Sequence, residues 1–406
     1  MSNLTLSDFF CGAGGSSTGA LDVPGVDVRA AANHWDLAVE THQRNHPDAE
    51  HICADISQYE PSLFPHTDLA WFSPSCTSHT VAQGMARADR AAAYVLGETP
   101  LPDDAHERSR ATMWDVVRFT EYHHYAAVIV ENVTEVTKWA PFPAWIMAME
   151  ALGYKHRIVM LNSMHAGLYG PAAAQSRDRF YCVFWQPDIT DPDLDAVVSP
   201  QGLTQAFKKG ARHVGKYGAQ YVYVDGMGRP VEPKTRPAAD IIDWSDRGTP
   251  IGARKRPLRP KTMAKIQAGI NKHWATGDTT PFIAELRGGG SSTRSAHDPL
   301  STVTASGTHH GLVMSYYGNG TTQTTGRPMP TVTTVEKQAL LTGRTTRIDD
   351  VRFRMMSDRE LATAMMFPAD YDFAGTKRER VRMIGNAVTC NAARDIIGQV
   401  VKAVAA

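Results

Sequence analysis

The chain has 406 residues, and its 42 basic and 42 acidic residues leave it without net charge at neutral pH. This length predicts two or three domains, and an apolar content of 42% excludes a disordered chain because it suffices for a sizeable core. No apolar run reaches the roughly 18 residues of a membrane-spanning helix, the N-terminus does not resemble a secretion signal, and five cysteines without a CxxC pair indicate a reducing cytoplasm and no zinc site.

The first 185 residues alternate apolar runs with amphipathic stretches. The runs LTLSDFF, VDVRAAAN, LAWFS, AAVIVENV and FYCVFW are typical of strands, and HWDLAVETHQRNH and ATMWDVVRFTEYHHY are typical of helices. Strands that alternate with helices favour a mostly parallel sheet covered on both faces. The sequence therefore predicts an α/β fold with a doubly wound sheet.

A glycine-rich turn follows the first predicted strand. Phe10 ends the strand, and Gly12, Gly14 and Gly15 come directly after it. Glycines at this position let the backbone approach a ligand at the carboxyl end of a strand. The pattern lacks the full GxGxxG spacing, so a nucleotide-type cofactor site and a plain tight turn both remain open.

Cys76 lies in a Pro/Ser/Thr-rich loop directly after the third predicted strand. A free cysteine is usually an inert, buried side chain. This one follows a strand end and precedes a long polar stretch, which is also consistent with an exposed, reactive thiol.

Charged residues occur at the ends of two later strands. Glu131, followed by Asn132, ends an apolar run, where a carboxylate is costly unless it is paired or functional, although it could also cap the next helix. Arg177 and Arg179 alternate at a strand start and are therefore expected on one face. They would bind an anion or a carbonyl group, or form a solvated edge.

The composition changes at about Pro187. Pro, Gly, Thr and Arg dominate, and helical periodicity is confined to PKTMAKIQAGINKHW. Residues 201–272 contain 15 Lys/Arg and 5 Asp/Glu, an excess typical of a polyanion-binding segment or of a solvated basic surface. The motif PLSTVT at 299–304 recurs as PMPTVT at 328–333, and each copy precedes an apolar run (HHGLVM and KQALL), which predicts two similar β-units.

Helical patterns return at about Arg352. Ser357, with Glu360 three residues on, predicts a capping box for the helix SDRELATAMMF. Gly385 and Asn386 are expected to form a turn before the amphipathic helix VTCNAARDIIGQVVKAVA. We therefore expect an α/β domain in residues 1–186 and 351–406, interrupted by a mainly β, irregular domain in residues 187–350.

In kind and order, these motifs resemble those of the DNA (cytosine-5) methyltransferase family. The matching segments are Phe10-Cys11-Gly12-Ala13-Gly14, Pro74-Ser75-Cys76, Glu131-Asn132-Val133, Gln175-Ser176-Arg177-Asp178-Arg179 and Gly385-Asn386-Ala387-Val388. The resemblance covers about residues 1–185 and 350–406. It implies a Rossmann-like methyltransferase domain, with the inserted region as the target recognition domain.

The resemblance also implies covalent catalysis on cytosine. Cys76 would add to carbon 6 as a thiolate, which makes carbon 5 nucleophilic toward a methyl group. Glu131 would protonate or hydrogen-bond N3, Arg179 would hold O2, and Arg177 would support the site. Because the target atom is buried in duplex DNA, the base must flip out, and Val81–Arg110 would be the mobile loop that closes over it.

The implied methyl donor is S-adenosyl-L-methionine. Trp35 would pack on the adenine, Asp55 would bind its amino group, and Asn386 and Val388 would close the pocket. The full set implied for the donor is Phe10, Gly12, Ala13, Gly14, Gly15, His34, Trp35, Asp55, Ile56, Pro74, Asn386 and Val388, with no metal. The expected partner is double-stranded DNA, with a restriction endonuclease as a further candidate. We expect a cytoplasmic monomer without membrane contact, encoded by a bacterium or a phage.

Three positions depart from the family pattern. His34 replaces the glutamate that usually holds the ribose hydroxyls, Ser75 replaces the proline before the nucleophile, and Thr77-Ser78-His79-Thr80 replaces Gln-x-Phe-Ser. The polar Ser75 and His79 would also suit a modified sulfonium donor such as carboxy-S-adenosylmethionine. Two competing hypotheses are a tRNA substrate and a non-catalytic DNA-binding protein. The long insert favours DNA, and the presence of Cys76, Glu131 and both arginines favours an enzyme.

Overall fold

A seven-stranded sheet forms the centre of the molecule. The computed structural model describes residues 3–74, 103–198, 203–204, 222–223, 235–274, 281–286, 293–314 and 348–406. In chain order the first strands are β1 (Leu4–Phe9), β2 (Val26–Asn33), β3 (Glu50–Cys53), β4 (Leu69–Phe72), β5 (Ala127–Asn132), β6 (Lys155–Asn162), the short β7 (Gln175–Ser176) and β8 (Asp178–Trp185). All except β7 belong to this sheet, in the order β3-β2-β1-β4-β5-β8-β6.

The sheet is mostly parallel, which confirms the predicted fold class. The five strands β3, β2, β1, β4 and β5 run parallel to one another, whereas β8 is antiparallel to both β5 and β6. The strand order reverses at β1, which lies between β2 and β4. The carboxyl ends of β1 and β4 therefore form a topological switch point, where open α/β sheets bind their ligands.

Two apolar cores lie on the two faces of this sheet. One contains Trp71 together with Ile396, and the other contains Phe72 together with Phe119. Trp71 and Phe72 are adjacent in β4, so the alternation of side chains along one strand supplies both cores. The helices of the described chain are α1 (Gly15–Leu21), α2 (Asp36–Asn45), α3 (Asp103–His123), α4 (Phe142–Ala151), α5 (Asp195–Val198), α6 (Pro260–His273), α7 (Asp358–Ala364), α8 (Lys377–Asn386) and α9 (Cys390–Val404).

A second, antiparallel sheet is formed mostly by the inserted region. The later strands are β9 (Leu203–Thr204), β10 (Val222–Tyr223), β11 (Thr249–Pro250), β12 (Phe282–Glu285), β13 (Thr293–Ser295), β14 (Leu300–Ser301), β15 (His310–Met314) and β16 (Arg352–Met355). Five of them form the sheet β11-β16-β15-β12-β13, and β9 pairs with β10. Phe353 of β16 is buried in the same core as Phe282 and Ile266. The boundary predicted at residue 350 therefore falls inside this sheet, because β16 completes it.

β14 connects the inserted region to the segment that carries the Gln-x-Arg-x-Arg motif. It pairs in parallel with β7, with Leu300 opposite Gln175. The Val303 N–H donates to Gln175 Oε1 (2.8 Å), and the Thr302 hydroxyl donates to the Ser176 carbonyl (3.0 Å). Leu300, Thr302 and Val303 belong to the PLSTVT segment at 299–304. The strand predicted after this segment is confirmed as β15. The second copy, at 328–333, lies outside the described residues.

Two local predictions are corrected by the structure. Gly385 and Asn386 end α8 instead of forming a turn, and the helix stops where Ala387 becomes extended. A Cβ at Gly385 would collide with the backbone of Thr304, so this glycine serves a close approach between segments. Residues 103–110 of the predicted mobile loop are helical, since their Ala, Glu and Arg residues favour a helix, whereas residues 81–102 lie outside the described part.

The capping box at the start of α7 is confirmed. The Ser357 hydroxyl accepts from the Glu360 N–H, and the Glu360 carboxylate accepts from the Ser357 N–H. Among the helices that the structure describes, none has the length and apolar character required to cross a membrane.

Candidate active site

The carboxyl ends of β1, β4 and β5 bring three of the predicted motifs to one edge of the sheet. The glycine turn follows β1, Pro74 follows β4, and Glu131 and Asn132 end β5. The Asn132 side chain donates to the Pro74 carbonyl (3.2 Å), so the chain that leads toward Cys76 is fixed to the end of β5. Residues 75–80, which include Ser75, Cys76 and His79, lie outside the described residues, so the role of Cys76 stays a prediction.

Glu131 forms a buried ion pair with Arg179. Arg179 Nε lies 3.0 Å from Glu131 Oε1, and the side chains are 15% and 11% exposed. Burial raises the pKa of the Glu131 carboxyl, although the charges of Arg179 and Arg177 lower it in part. The neutral carboxylic acid is therefore available at higher pH than in an exposed glutamate, which is what a proton donor near neutral pH requires.

Arg177 is buried and differs from Arg179 in what its guanidinium contacts. It donates to the carbonyls of Val303 (2.8 Å), Gly385 (3.1 Å) and Ala387 (2.9 Å). These acceptors come from the inserted region and from the C-terminal segment. Arg177 therefore joins three parts of the chain beside Glu131, and the interpretation of the two arginines as a solvated edge is wrong.

The turn after β1 combines left-handed backbone with close packing. Phe10, Gly12 and Gly14 have φ of 59°, 54° and 91°, values that L side chains rarely adopt. A Cβ at Gly14 would lie 2.7 Å from the Tyr371 hydroxyl, so only glycine fits there. By contrast, no atom of the described residues lies within 4 Å of the corresponding position at Gly12. The backbone at Gly12 is thus open to a ligand, whereas the fully buried Ala13 faces the interior.

His34 and Trp35 follow β2. His34 is exposed, and Trp35 is half-buried at the start of α2. The backbone N–H of Trp35 donates to the Asn33 side chain (3.0 Å). The guanidinium of Arg382, in α8, lies 4.7 Å from the centre of the Trp35 ring. A cation over an indole face restrains the ring, so α8 helps to orient the residue that we expect against an adenine.

Asp55 and Ile56 follow β3. The Asp55 carboxylate accepts from Ser57 N (3.3 Å) and Gln58 Nε2 (2.9 Å), while Ile56 is fully buried. Arg118 of α3 donates to the Ile56 carbonyl (2.7 Å) and pairs with Asp115. Hydrogen bonds from α3 therefore hold the loop that carries Asp55.

The C-terminal segment packs directly against α1. A Cβ at Gly15 would collide with the Val388 carbonyl, and one at Gly19 would collide with the Cys390 carbonyl. Val388 is buried, and Asn386 is exposed at the end of α8. These contacts place the far end of the chain beside the glycine turn.

Sequence patterns do not single out Tyr371, Arg118 or Arg382. Each acts on a predicted site residue through a contact between segments that are distant in sequence, and none lies in a recognisable motif. Arg382 lies three positions before Gly385, the first residue of the Gly-Asn-x-Val motif, which is the one local signal that could suggest it.

Comparisons with solved structures show the same fold at low identity. The Entamoeba histolytica methyltransferase EhMeth is 10% identical, with a TM-score of 0.53 over 99% of both chains. The S. pombe Dnmt2 methyltransferase is 14% identical, with a TM-score of 0.56 over 99% of both chains. A putative DNA modification methyltransferase encoded within an E. coli prophage is 15% identical, with a TM-score of 0.53 over 100% of both chains.

The family comparison covers almost the entire sequence. No match was found among curated proteins. The family model described as "C-5 cytosine-specific DNA methylase" matches residues 4–402, from β1 through the inserted region to α9. The chain belongs to the C-5 cytosine-specific DNA methylase family.

Proposed function

We propose that the protein transfers a methyl group from S-adenosyl-L-methionine to carbon 5 of a cytosine flipped out of double-stranded DNA. Membership of the family gives the reaction class, cytosine-5 methylation of DNA. The observation that carries the assignment of roles is the buried Glu131–Arg179 pair beside the chain that leads to Cys76.

Cys76 and Glu131 would act together on the cytosine ring. As the Cys76 thiolate forms a bond to carbon 6, negative charge builds on N3, and the Glu131 carboxyl stabilises it by donating its proton. Carbon 5 would then take the methyl group as its bond to the sulfonium sulfur breaks, which leaves a neutral thioether. The carbon 5 proton would leave to a base, the S–C6 bond would break to free Cys76, and N3 would return its proton to Glu131. When bound, the donor supplies an electrophilic methyl group on a sulfonium centre.

The two arginines would have different roles. Arg179, which is fixed against Glu131, would donate to the cytosine O2. Arg177 is occupied by three backbone carbonyls, so it would hold the site together without touching the base.

The donor would bind along the carboxyl ends of β1 to β4. The open backbone at Gly12, the restrained Trp35 ring and the Asp55 carboxylate fit a nucleoside with an amino group. His34 would contact the ribose of the donor, and Ile56 and Pro74 would line its adenine. The residues that complete this proposed site are Phe10, Ala13, Gly14, Gly15, Asn386 and Val388.

The inserted region would select the DNA sequence. Exposed basic side chains in its described part, at Lys255, Arg256, Arg259 and Lys261, are suited to phosphate contacts. We place the recognition domain in residues 187–350 together with β16, because β16 pairs with β15. Exchanging this region with that of a relative should change the sequence preference and leave the chemistry unchanged.

A labelling experiment tests the proposal. Purified protein with labelled S-adenosyl-L-methionine should methylate duplex DNA in preference to tRNA, and DNA containing 5-fluorocytosine should form a covalent adduct. Cys76→Ala should retain DNA binding, since phosphate contacts dominate affinity, but should form no adduct and no 5-methylcytosine. An adduct that persists in Cys76→Ala would refute the assignment of the nucleophile, and exclusive labelling of tRNA would refute the substrate.

A further inference from the structure

A set of polar side chains packs against the glycine turn at Ala13 and Gly14. Most of its members are buried: Tyr371 is 3% exposed, His46 is 8% exposed and His42 is fully buried. All but one come from the first 51 residues, and Tyr371 comes from the segment between α7 and α8. This polar cluster consists of Asp8, Ser16, Ser17, Thr18, His42, His46, His51 and Tyr371.

Two hydroxyls of the cluster donate hydrogen bonds to the backbone of the turn. The Tyr371 hydroxyl donates to the Ala13 carbonyl, and the Thr18 hydroxyl donates to the Gly14 carbonyl (2.7 Å). Because both hydroxyl protons are used, both oxygens can only accept a further bond. His46 Nε2 lies 3.1 Å from Thr18 Oγ1 and 3.3 Å from Tyr371 Oη, so it carries the proton and donates to them.

His46 is therefore a neutral side chain that connects the two hydroxyls. Burial lowers the pKa of His46 to about 4, which is consistent with the neutral ring. The arrangement fixes two consecutive carbonyls of the turn, at Ala13 and Gly14, from the interior of the molecule.

The backbone of the turn needs such support. Phe10 is a non-glycine residue in the left-handed region, and Gly12 and Gly14 share that region. Backbone of this kind persists where surrounding contacts over-determine it. The Tyr371 ring also occupies the space beside Gly14 and contacts Phe367 and Phe373, with ring centres 4.6 and 4.9 Å away, so it is itself held in place.

We propose that Tyr371 is a positioning residue that sets the affinity for the methyl donor by holding the glycine turn in its binding conformation. The inference rests on the proposed function, in which this turn binds the donor. A turn that is already ordered loses less conformational freedom when a ligand binds, which strengthens binding. Tyr371 contacts neither the Glu131–Arg179 pair nor the chain entering the Cys76 loop among the described contacts, so it should affect binding and not the chemical step.

The matched test compares two Tyr→Phe variants. Tyr371→Phe removes the hydroxyl that bonds Ala13, and Tyr154→Phe removes a hydroxyl that donates to the Tyr125 carbonyl (2.6 Å) at an equally buried position away from the turn. Each variant loses the bond that the hydroxyl donates to a backbone carbonyl and one that it accepts from a side chain, His46 for Tyr371 and Gln186 for Tyr154. The melting temperatures of the two variants should therefore fall by similar amounts. The Kd for S-adenosylhomocysteine, measured by calorimetry, should rise about three- to tenfold in Tyr371→Phe alone.

Kinetics and a double variant complete the test. KM for the donor should rise with Kd, whereas kcat at saturating donor and DNA should stay within about twofold of the unaltered protein. His46→Ala should raise Kd as well, and the two changes together should raise it by less than the product of the single effects, because both act through the same turn.

The inference and the proposed function fail in different ways. If the unaltered protein methylates DNA and Tyr371→Phe binds S-adenosylhomocysteine as tightly as Tyr154→Phe does, the inference is wrong and the proposed function stands. A fall in kcat at unchanged KM would also overturn it. If the unaltered protein neither binds S-adenosylhomocysteine nor modifies DNA, the proposed function is wrong and the inference falls with it.

Discussion

Arg179 Nε lies 3.0 Å from Glu131 Oε1, where the end of β5 faces the start of β8. Burial raises the pKa of Glu131, and the adjacent guanidinium opposes that rise. The pair therefore sets the pH range in which the carboxyl keeps its proton.

Glu131→Gln should lower kcat by about 10²- to 10⁴-fold, the usual contribution of a positioned general acid. In the unaltered protein the protonated form is active, so kcat should fall as pH rises through the raised pKa of Glu131, at higher pH than for an ordinary glutamate. The residual activity of the variant should lack this step. Measuring kcat against pH with saturating DNA checks both points, and an identical pH profile in the variant would exclude Glu131 as the proton donor.

Arg177→Met and Arg179→Met should separate stability from activity. Arg177 donates to three buried carbonyls, so its loss should reduce the free energy of unfolding by on the order of 3 kcal/mol. Arg179→Met should reduce kcat strongly with a smaller effect on unfolding. Arg157, an exposed arginine paired with Asp195, gives the control Arg157→Met, which should change neither quantity. Equal unfolding curves for the Arg177 and control variants would contradict the structural role.

His34→Glu should tighten donor binding. An ionised carboxylate accepts stronger hydrogen bonds from ribose hydroxyls than a neutral imidazole does, which corresponds to roughly five- to tenfold in Kd. His34→Gln, which is neutral, should give no such gain, and the product should remain 5-methylcytosine. Mass spectrometry of nucleosides distinguishes this donor from a modified one. A heavier cytosine adduct in DNA from cells, together with poor turnover of S-adenosyl-L-methionine, would favour the modified donor.

Asp8→Asn should change how stability depends on pH. Burial raises the pKa of Asp8 from 3.8 to about 6, despite hydrogen bonds from Ser16 and Ser17. The folded state therefore binds a proton that the unfolded state has lost, and the stability from Asp8 disappears as pH rises from about 4 through about 6. The asparagine variant should gain up to about 3 kcal/mol relative to the unaltered protein over that range. Urea unfolding at pH 5 and pH 7.5 measures the difference.

His46, in the same polar cluster, makes stability depend on pH in the opposite direction. The pKa of His46 is lowered to about 4, so its unfolded ring binds a proton first and the folded protein loses stability as pH falls below about 6.5. His46→Gln should therefore reduce the loss of folding stability at acid pH.

For the Asp8 prediction, an equal change of stability at pH 5 and pH 7.5 in Asp8→Asn would show that the buried carboxyl does not titrate as stated.

His124→Gly should stabilise the protein. His124 is exposed, has a φ of 50° and follows the last turn of α3, where its N–H donates to the Thr120 carbonyl. Glycine adopts this backbone without strain, which is worth about 0.5–1 kcal/mol. His297 is exposed and lies outside the left-handed region, so His297→Gly should give no gain. A lower melting temperature for His124→Gly would show that the strain is negligible.

The central sheet and the site motifs could be predicted because both depend on local patterns. Trp71 and Phe72 pack into two different cores, and the continuous apolar run LAWFS indicates such a strand, buried on both faces. The strand end that directly precedes Phe10 and the one that carries Glu131 follow from apolar runs of this kind.

The rest depends on contacts that the local sequence does not contain. The sequence predicts a turn at Gly385, but the reason for the glycine is the Thr304 backbone packed against it. Arg352–Met355 belongs to the second sheet because β15 pairs with it, and Arg177 is structural because distant carbonyls surround it. Tyr371 likewise gains its role only when the chain has folded around Ala13.

The packing of Gly15 and Gly19 against Val388 and Cys390 has a consequence for protein synthesis. The surface of α1 that receives α9 is synthesised long before its partner, because the inserted region lies between the two helices in the chain. The nascent polypeptide must therefore carry this uncovered surface while the whole inserted region is translated. This surface can be buried only after α9 has been synthesised, so the packing beside the glycine turn is completed after the inserted region has been translated.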